Sequence, residues 1–127
     1  MATAAPQSAS FMVDDHGVHD EVNRDLLAGH LEDGEFFWLD LYRPATEELA
    51  LLADAFHFHP LALEDVDHFG QRPKVEPFGD HALIVAYGAN EDRDELVEVH
   101  CFFSESFLVT VRRDSCPPFD ELRRRAT

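Results

Sequence analysis

Apolar positions change period several times along the chain, and each change marks an element. Phe11-Met12-Val13 and the run from Val18 to Val22 flank Asp14-Asp15-His16-Gly17, which predicts two strands joined by a polar turn whose glycine can take positive φ. Leu26, Leu27 and Leu31 then fall at helical spacing, predicting a helix from about Arg24 to Leu31 that Asp33-Gly34 stops. Phe36-Phe37-Trp38-Leu39-Asp40-Leu41 is too apolar for an exposed edge and predicts a central strand covered on both faces. Thr46 is the expected N-cap of a second helix, with Glu47 and Glu48 in its first turn and Leu49, Leu52, Ala53 and Phe56 on its apolar face.

His59-Pro60 signals another helix entry, because proline fixes φ and lacks the N–H that a first turn leaves unpaired. At about 100° per residue, Ala62, Leu63, Val66 and Phe69 share one face, Glu64 lies nearly opposite and Asp65 lies on the flank. Both carboxylates are thus expected to reach solvent. Gln71-Arg72-Pro73-Lys74 bars further helix and is expected to tie this acidic segment to the sheet, its two cations serving nearby carboxylates.

Strands are predicted at Lys74-Val75-Glu76, from Ala82 to Tyr87, from Leu96 to Phe103 and from Phe107 to Arg112. The breaks at 90–94 and at Ser104-Glu105-Ser106 suit hairpins, so the second half reads as an antiparallel meander, after which Pro117-Pro118 opens a last helix. The pattern implies one α/β domain over residues 11–127: a mixed sheet with an antiparallel C-terminal meander, flanked by helices on both faces. Residues 1–10, rich in Ala, Ser and Thr, are expected to be a loose lead-in or the start of the first strand. Trp38 and the phenylalanines are assigned to the core, since their spacing follows strands.

Charge narrows the partners. With 26 acidic against 10 basic residues the formal charge is −16, which disfavours nucleic acid and anionic membrane and favours cations. Arg112, Arg113, Arg123, Arg124 and Arg125 cluster late in the chain and are expected to neutralise acidic surface elsewhere. Cys101 and Cys116 form neither a disulfide framework nor a metal knuckle, which fits free thiols in a reducing cytosol. No apolar run reaches the roughly 20 residues that span a bilayer, and no signal-peptide layout opens the chain, so the expectation is a soluble, cytoplasmic domain. Catalytic motifs are absent: there is no Gly-x-Ser-x-Gly elbow, phosphate-binding glycine loop or His-Glu-x-x-His helix, and the chain is not expected to be an enzyme.

The blocks His59-Pro60-Leu61-Ala62-Leu63-Glu64-Asp65-Val66 and Gln71-Arg72-Pro73-Lys74-Val75-Glu76 resemble the cytosolic domain of CorA-type magnesium transporters. The resemblance runs from Phe36 to Arg113 and includes Trp38-Leu39-Asp40-Leu41 and Phe107-Leu108-Val109-Thr110-Val111, several spaced blocks in one order. It implies a layered α/β fold and a regulatory role, with Glu64 and Asp65 as metal ligands at divalent-cation sites between neighbouring subunits. The implied ion is Mg²⁺, weakly held by this domain alone, with Co²⁺, Ni²⁺ or Zn²⁺ as alternatives, one branch of the family moving zinc. Mg²⁺ keeps most of its water shell and is usually bound through one or two carboxylates, which suits a shallow shared surface.

The family continues into a stalk helix and two membrane helices joined by a Gly-Met-Asn loop, and it assembles as pentamers through neighbouring subunits. By that resemblance the chain is a regulatory domain without its channel, on the cytoplasmic side of the membrane, expected as a monomer or weak dimer when isolated. The alternative is a stand-alone acidic interaction module of the same fold that conducts nothing.

Two further sets of residues invite a metal reading. Asp14, Asp15, His16 and His19 gather carboxylates and imidazoles around a turn, although a polar hairpin tip explains them equally. His57 and His59 would share one face of a strand, but they fall at a helix end, where His59 is expected to cap or brace the turn.

Overall fold

Strand and helix signals translate in order into β1 (Ala9–Asp14), β2 (Gly17–His19), α1 (Arg24–Asp33), β3 (Phe37–Tyr42), α2 (Thr46–Phe56), α3 (Pro60–Val66), β4 (Lys74–Pro77), β5 (Ala82–Ala89), β6 (Leu96–Phe103), β7 (Phe107–Arg112) and α4 (Pro117–Arg125). The structure, a computed structural model, describes residues 9–20, 22–58, 60–66, 68–89, 95–114 and 116–125, without the side chain of residue 123. His59, the segment 90–94 expected as a hairpin, and residues 1–8 of the expected lead-in lie outside the described residues. Ala9 and Ser10, also placed in that lead-in, already belong to β1.

The strands form one sheet in the order β2-β1-β3-β7-β6-β5-β4. Every neighbouring pair is antiparallel except β3 and β7, where Leu39 stands beside Val109 and Leu41 beside Val111. The β4–β7 meander folds back on itself and lays its last strand against β3, which places β3 between β1 and β7.

Alternation sorts each strand between two layers. Leu39, Leu41, Phe102, Val109 and Val111 face α1, α2 and α3, and they enclose the buried Leu27, Leu52, Ala62 and Val66. On the opposite face Cys116 and Phe119 of the α4 segment cover Val97, Val99 and Cys101, and the Phe119 ring meets Trp38 edge-on, with centroids 5.3 Å apart. Helices therefore cover both faces, three against one.

Trp38, Asp40 and Tyr42 also point to the α4 side, and there the sheet buries an ion pair. Arg112 Nε donates to both oxygens of Asp40 (3.2 and 3.1 Å) and Nη2 to Oδ2 (3.0 Å), while Thr110 Oγ1 donates to Oδ1 (2.8 Å). Trp38 Nε1 completes the chain by donating to Thr110 Oγ1 at 2.9 Å. Asp40 beside Thr110 and Tyr42 beside Arg112 are direct consequences of the parallel register.

Four expectations are corrected. Ala45, not Thr46, caps α2: its N–H donates to Glu48 Oε1 at 3.1 Å, so the glutamate three residues on supplies the acceptor. Phe36 and Phe103 are 47% and 50% exposed rather than core, because Phe36 precedes β3 and Phe103 lies at the end of β6 beyond the residues that α4 covers. Arg112 turns into the fold instead of over the surface, and Arg124 and Arg125 pair with Glu121 of their own helix. Helix α1 runs two residues past Leu31 before Gly34, at φ 71°, ends it in the left-handed region.

Candidate functional site: the acidic helix and its anchor

Helix α3 buries Ala62 and Val66 completely, which turns Glu64 outward to solvent and leaves Asp65 on the rim, its side chain 36% exposed. Lys74, the first residue of β4, meets that rim: Nζ lies 3.1 Å from Asp65 Oδ2 and 3.2 Å from Glu76 Oε2. Burial opposes the charged form of Lys74, yet the two carboxylates outweigh it and hold the ammonium above its ordinary pKa. Gln71 Nε2 donates to the backbone oxygens of Asp65 (2.9 Å) and His68 (2.6 Å). The Gln71–Lys74 segment thus ties the acidic helix to the sheet, as its composition suggests.

A second tie comes from β6. His100 is fully buried and its Nδ1 donates to Val66 O at 2.8 Å, satisfying a carbonyl that the end of a helix would otherwise leave open. Its Nε2 lies 2.5 Å from Glu98 Oε2, and Glu98 also accepts from the N–H groups of Gly70 (2.8 Å) and Gln71 (3.3 Å). Burial pushes the Glu98 carboxyl up, but these hydrogen bonds together prevail and hold it below its ordinary range. Phe69 stacks on the His100 ring with centroids 4.1 Å apart, and Tyr87 OH donates to Gln71 O. The backbone that carries Glu64 and Asp65 is therefore fixed at its C-terminal end from three directions.

Neither Glu98 nor His100 is a candidate in the sequence patterns. Their i, i+2 spacing on a strand, which puts both side chains on one face, is the signal that points to them once a strand is assigned.

At the hairpin, the acid and imidazoles satisfy one another. Asp14 accepts from His16 N–H (2.8 Å), from His19 Nε2 (2.8 Å) and from His30 Nε2 (2.7 Å), and its side chain is 1% exposed. His30, which comes from α1, also donates through Nδ1 to Leu26 O at 2.9 Å. Asp15 and His16 are exposed at the tip. His57 ends α2 in the left-handed region, φ 55°, its N–H donating to Ala53 O. Among the described residues no group of three or more His, Cys, Asp or Glu side chains is arranged to hold a metal ion.

The Asp14 cluster makes a pH prediction. Burial disfavours charged His30, but Leu26 O and Asp14 outweigh it and raise its pKa above the ordinary 6.5. A raised histidine contributes stability that is complete below its unfolded pKa and is lost as pH rises through the folded one. His30→Gln is accordingly expected to cost about 1–2 kcal/mol in urea unfolding at pH 5.5 and clearly less at pH 9. An equal loss at both values would show that the charge contributes nothing.

Among the described residues no helix is long and apolar enough to cross a membrane. A profile of the family described as CorA-like Mg2+ transporter protein matches residues 33–127. YfjQ of Bacillus subtilis (strain 168), named as a metal ion transporter, is 39% identical over 93 residues, which cover 73% of this chain and 29% of YfjQ. Among solved structures, full-length CmaX superposes with a TM-score of 0.73 at 17% identity, covering 93% of this chain and 38% of that one. The soluble domain of CorA from Methanocaldococcus jannaschii gives a TM-score of 0.64 at 20% identity over 93% of this chain and 45% of that one. The chain therefore spans less than half the length of these relatives. The mixed α/β sheet is shared with both structures, and the extent of the profile match shows that the chain belongs to the CorA-like Mg2+ transporter family, a family of metal ion transporters rather than enzymes.

Proposed function

We propose that this chain is the ion-responsive regulatory domain of a divalent-cation transporter, working on the cytoplasmic side of the membrane beside that protein's membrane domain. In this reading Mg²⁺ bridges the Glu64–Asp65 face of one copy to acidic groups of its neighbour. The observation that carries it is an outward pair of carboxylates on a helix whose backbone is anchored by His100, Glu98 and Gln71. A rigid base lets an ion bound at the side chains bias the position of the whole domain.

Without the ion, chains carrying a formal charge of −16 repel one another. Two like charges about 4 Å apart interact by up to roughly 4 kcal/mol at an effective dielectric near 20, enough to shift an assembly equilibrium when a dication neutralises them. Rigid-body movement of domains would transmit that difference to the pore. Co²⁺, Ni²⁺ and Zn²⁺ are the competing ions.

The test is a Mg²⁺ titration of the chain followed by amide NMR and sedimentation velocity. Resonances around Glu64 and Asp65 should shift and the weight-average sedimentation coefficient should rise, with Glu64→Ala/Asp65→Ala weakening both responses at least fivefold. A double variant that responds like the parent removes these residues from the sensing role.

A further inference from the structure

Asp65 is already neutralised by a cation of the chain's own. Lys74 and Glu76 stand beside Val85 and Leu83 of β5 and face the same layer as α3, so the strand aims both side chains at the acidic helix. The ammonium lies between two carboxylates, 3.1 Å from Asp65 Oδ2 and 3.2 Å from Glu76 Oε2.

We infer that Lys74 is an internal competitor for the ion at Asp65, setting the concentration at which a dication can bind there. This rests on the reading of Asp65 as an ion ligand. A dication that ligates Oδ2 takes the position that the lysine occupies, and the lysine must withdraw. Glu76 makes the exchange feasible: the ammonium gives up one carboxylate while keeping the other, so no charge is stranded. All three side chains are one third to one half exposed, at 33%, 36% and 45%, so water can complete the shells of both cations during the exchange.

Competition of this kind shapes the response. A carboxylate with no internal partner binds dications at any concentration its intrinsic affinity allows, whereas a lysine held in place raises the threshold without changing the ligand.

The experiment is residue-resolved NMR titration of the chain with Mg²⁺, comparing the parent with Lys74→Met, Lys74→Arg, Asp65→Asn and the Lys74→Met/Asp65→Asn double variant. Lys74→Met should tighten Mg²⁺ binding at Asp65 by about five- to tenfold, Lys74→Arg should give no tightening, and the double variant should bind no better than Asp65→Asn. Lys74→Gln carries the same expectation as Lys74→Met should the methionine form fold poorly. If Lys74→Met and Lys74→Gln bind no more tightly while Asp65→Asn weakens binding, the lysine is not a competitor and the ligand role of Asp65 stands. If Asp65→Asn binds Mg²⁺ as the parent does, both ideas fall together.

Discussion

Replacing Arg112 by methionine is expected to cost the fold about 3–5 kcal/mol, the largest effect of any substitution away from the apolar core. The reason is what it leaves behind. Asp40 and Arg112 side chains are 1% and 7% exposed, and the guanidinium spends Nε and Nη2 on the carboxylate and Nη1 on Asp114 O. The rings of Tyr42 and Phe119 lie 4.9 and 5.6 Å from its centre and add cation–π contacts that methionine cannot reproduce. Burial is the dominant influence on Asp40 and raises its pKa above the ordinary 3.8 even with Arg112 in place. Its favourable contribution is thus present below the unfolded pKa and lost as pH rises through the folded one.

Taking Arg112 away raises that pKa further, and the deficit of the variant should shrink as pH falls toward 4 and Asp40 takes up a proton. Asp40→Leu/Arg112→Met should recover most of the loss, because a well-packed apolar pair often replaces a buried ion pair at little cost. Urea unfolding at pH 7 and pH 4 measures all three quantities. A single variant as stable as the parent at pH 7 would mean that Asp40 finds another counter-charge or water.

This ion pair marks the boundary of what could be read from the chain. Strands β5, β6 and β7 follow from local alternation, and each appears within two residues of its expected place. The pairing of β3 with β7 has no local signal, since two strands whose paired residues, such as Phe37 and Phe107, lie 70 positions apart reveal their neighbourhood only when the meander closes; Asp40 therefore sits in an apolar run with its partner 72 residues away. His30 escapes for the same reason, lying 16 residues from Asp14 on a separate helix. At the acidic helix the wheel places Glu64 and Asp65 well, because both positions depend on one short segment. It cannot place Lys74 Nζ against Asp65, which depends on where β4 enters the sheet.

His100→Leu is the second large prediction, and it tests whether the acidic helix works from a fixed base. Leucine fills much of the imidazole's space but leaves Val66 O without its donor and Glu98, 12% exposed, without its nearest partner. Leaving both buried acceptors short of a donor should cost about 2–4 kcal/mol. Glu98→Gln keeps its amide oxygen for the Gly70 N–H, gives up the longer bond from the Gln71 N–H and can donate its NH2 to His100 Nε2, so it should cost less. The loss should also be local: amide exchange in α3 and at Gly70 and Gln71 should accelerate more than exchange in β3 and β7. Glu98 is held below its ordinary 4.5, so it contributes stability above that value that is lost as pH falls through its folded pKa. Protection of α3 in the parent should therefore fail first in acid, and this acid sensitivity should fade in His100→Leu, where the hydrogen bond that most favours the carboxylate is gone. If the domain senses Mg²⁺ through Asp65, the same variant should blunt the ion response with both acidic side chains intact. A variant whose α3 exchanges as slowly as the parent's, and whose response is unchanged, would place the rigidity of the helix in its apolar face alone.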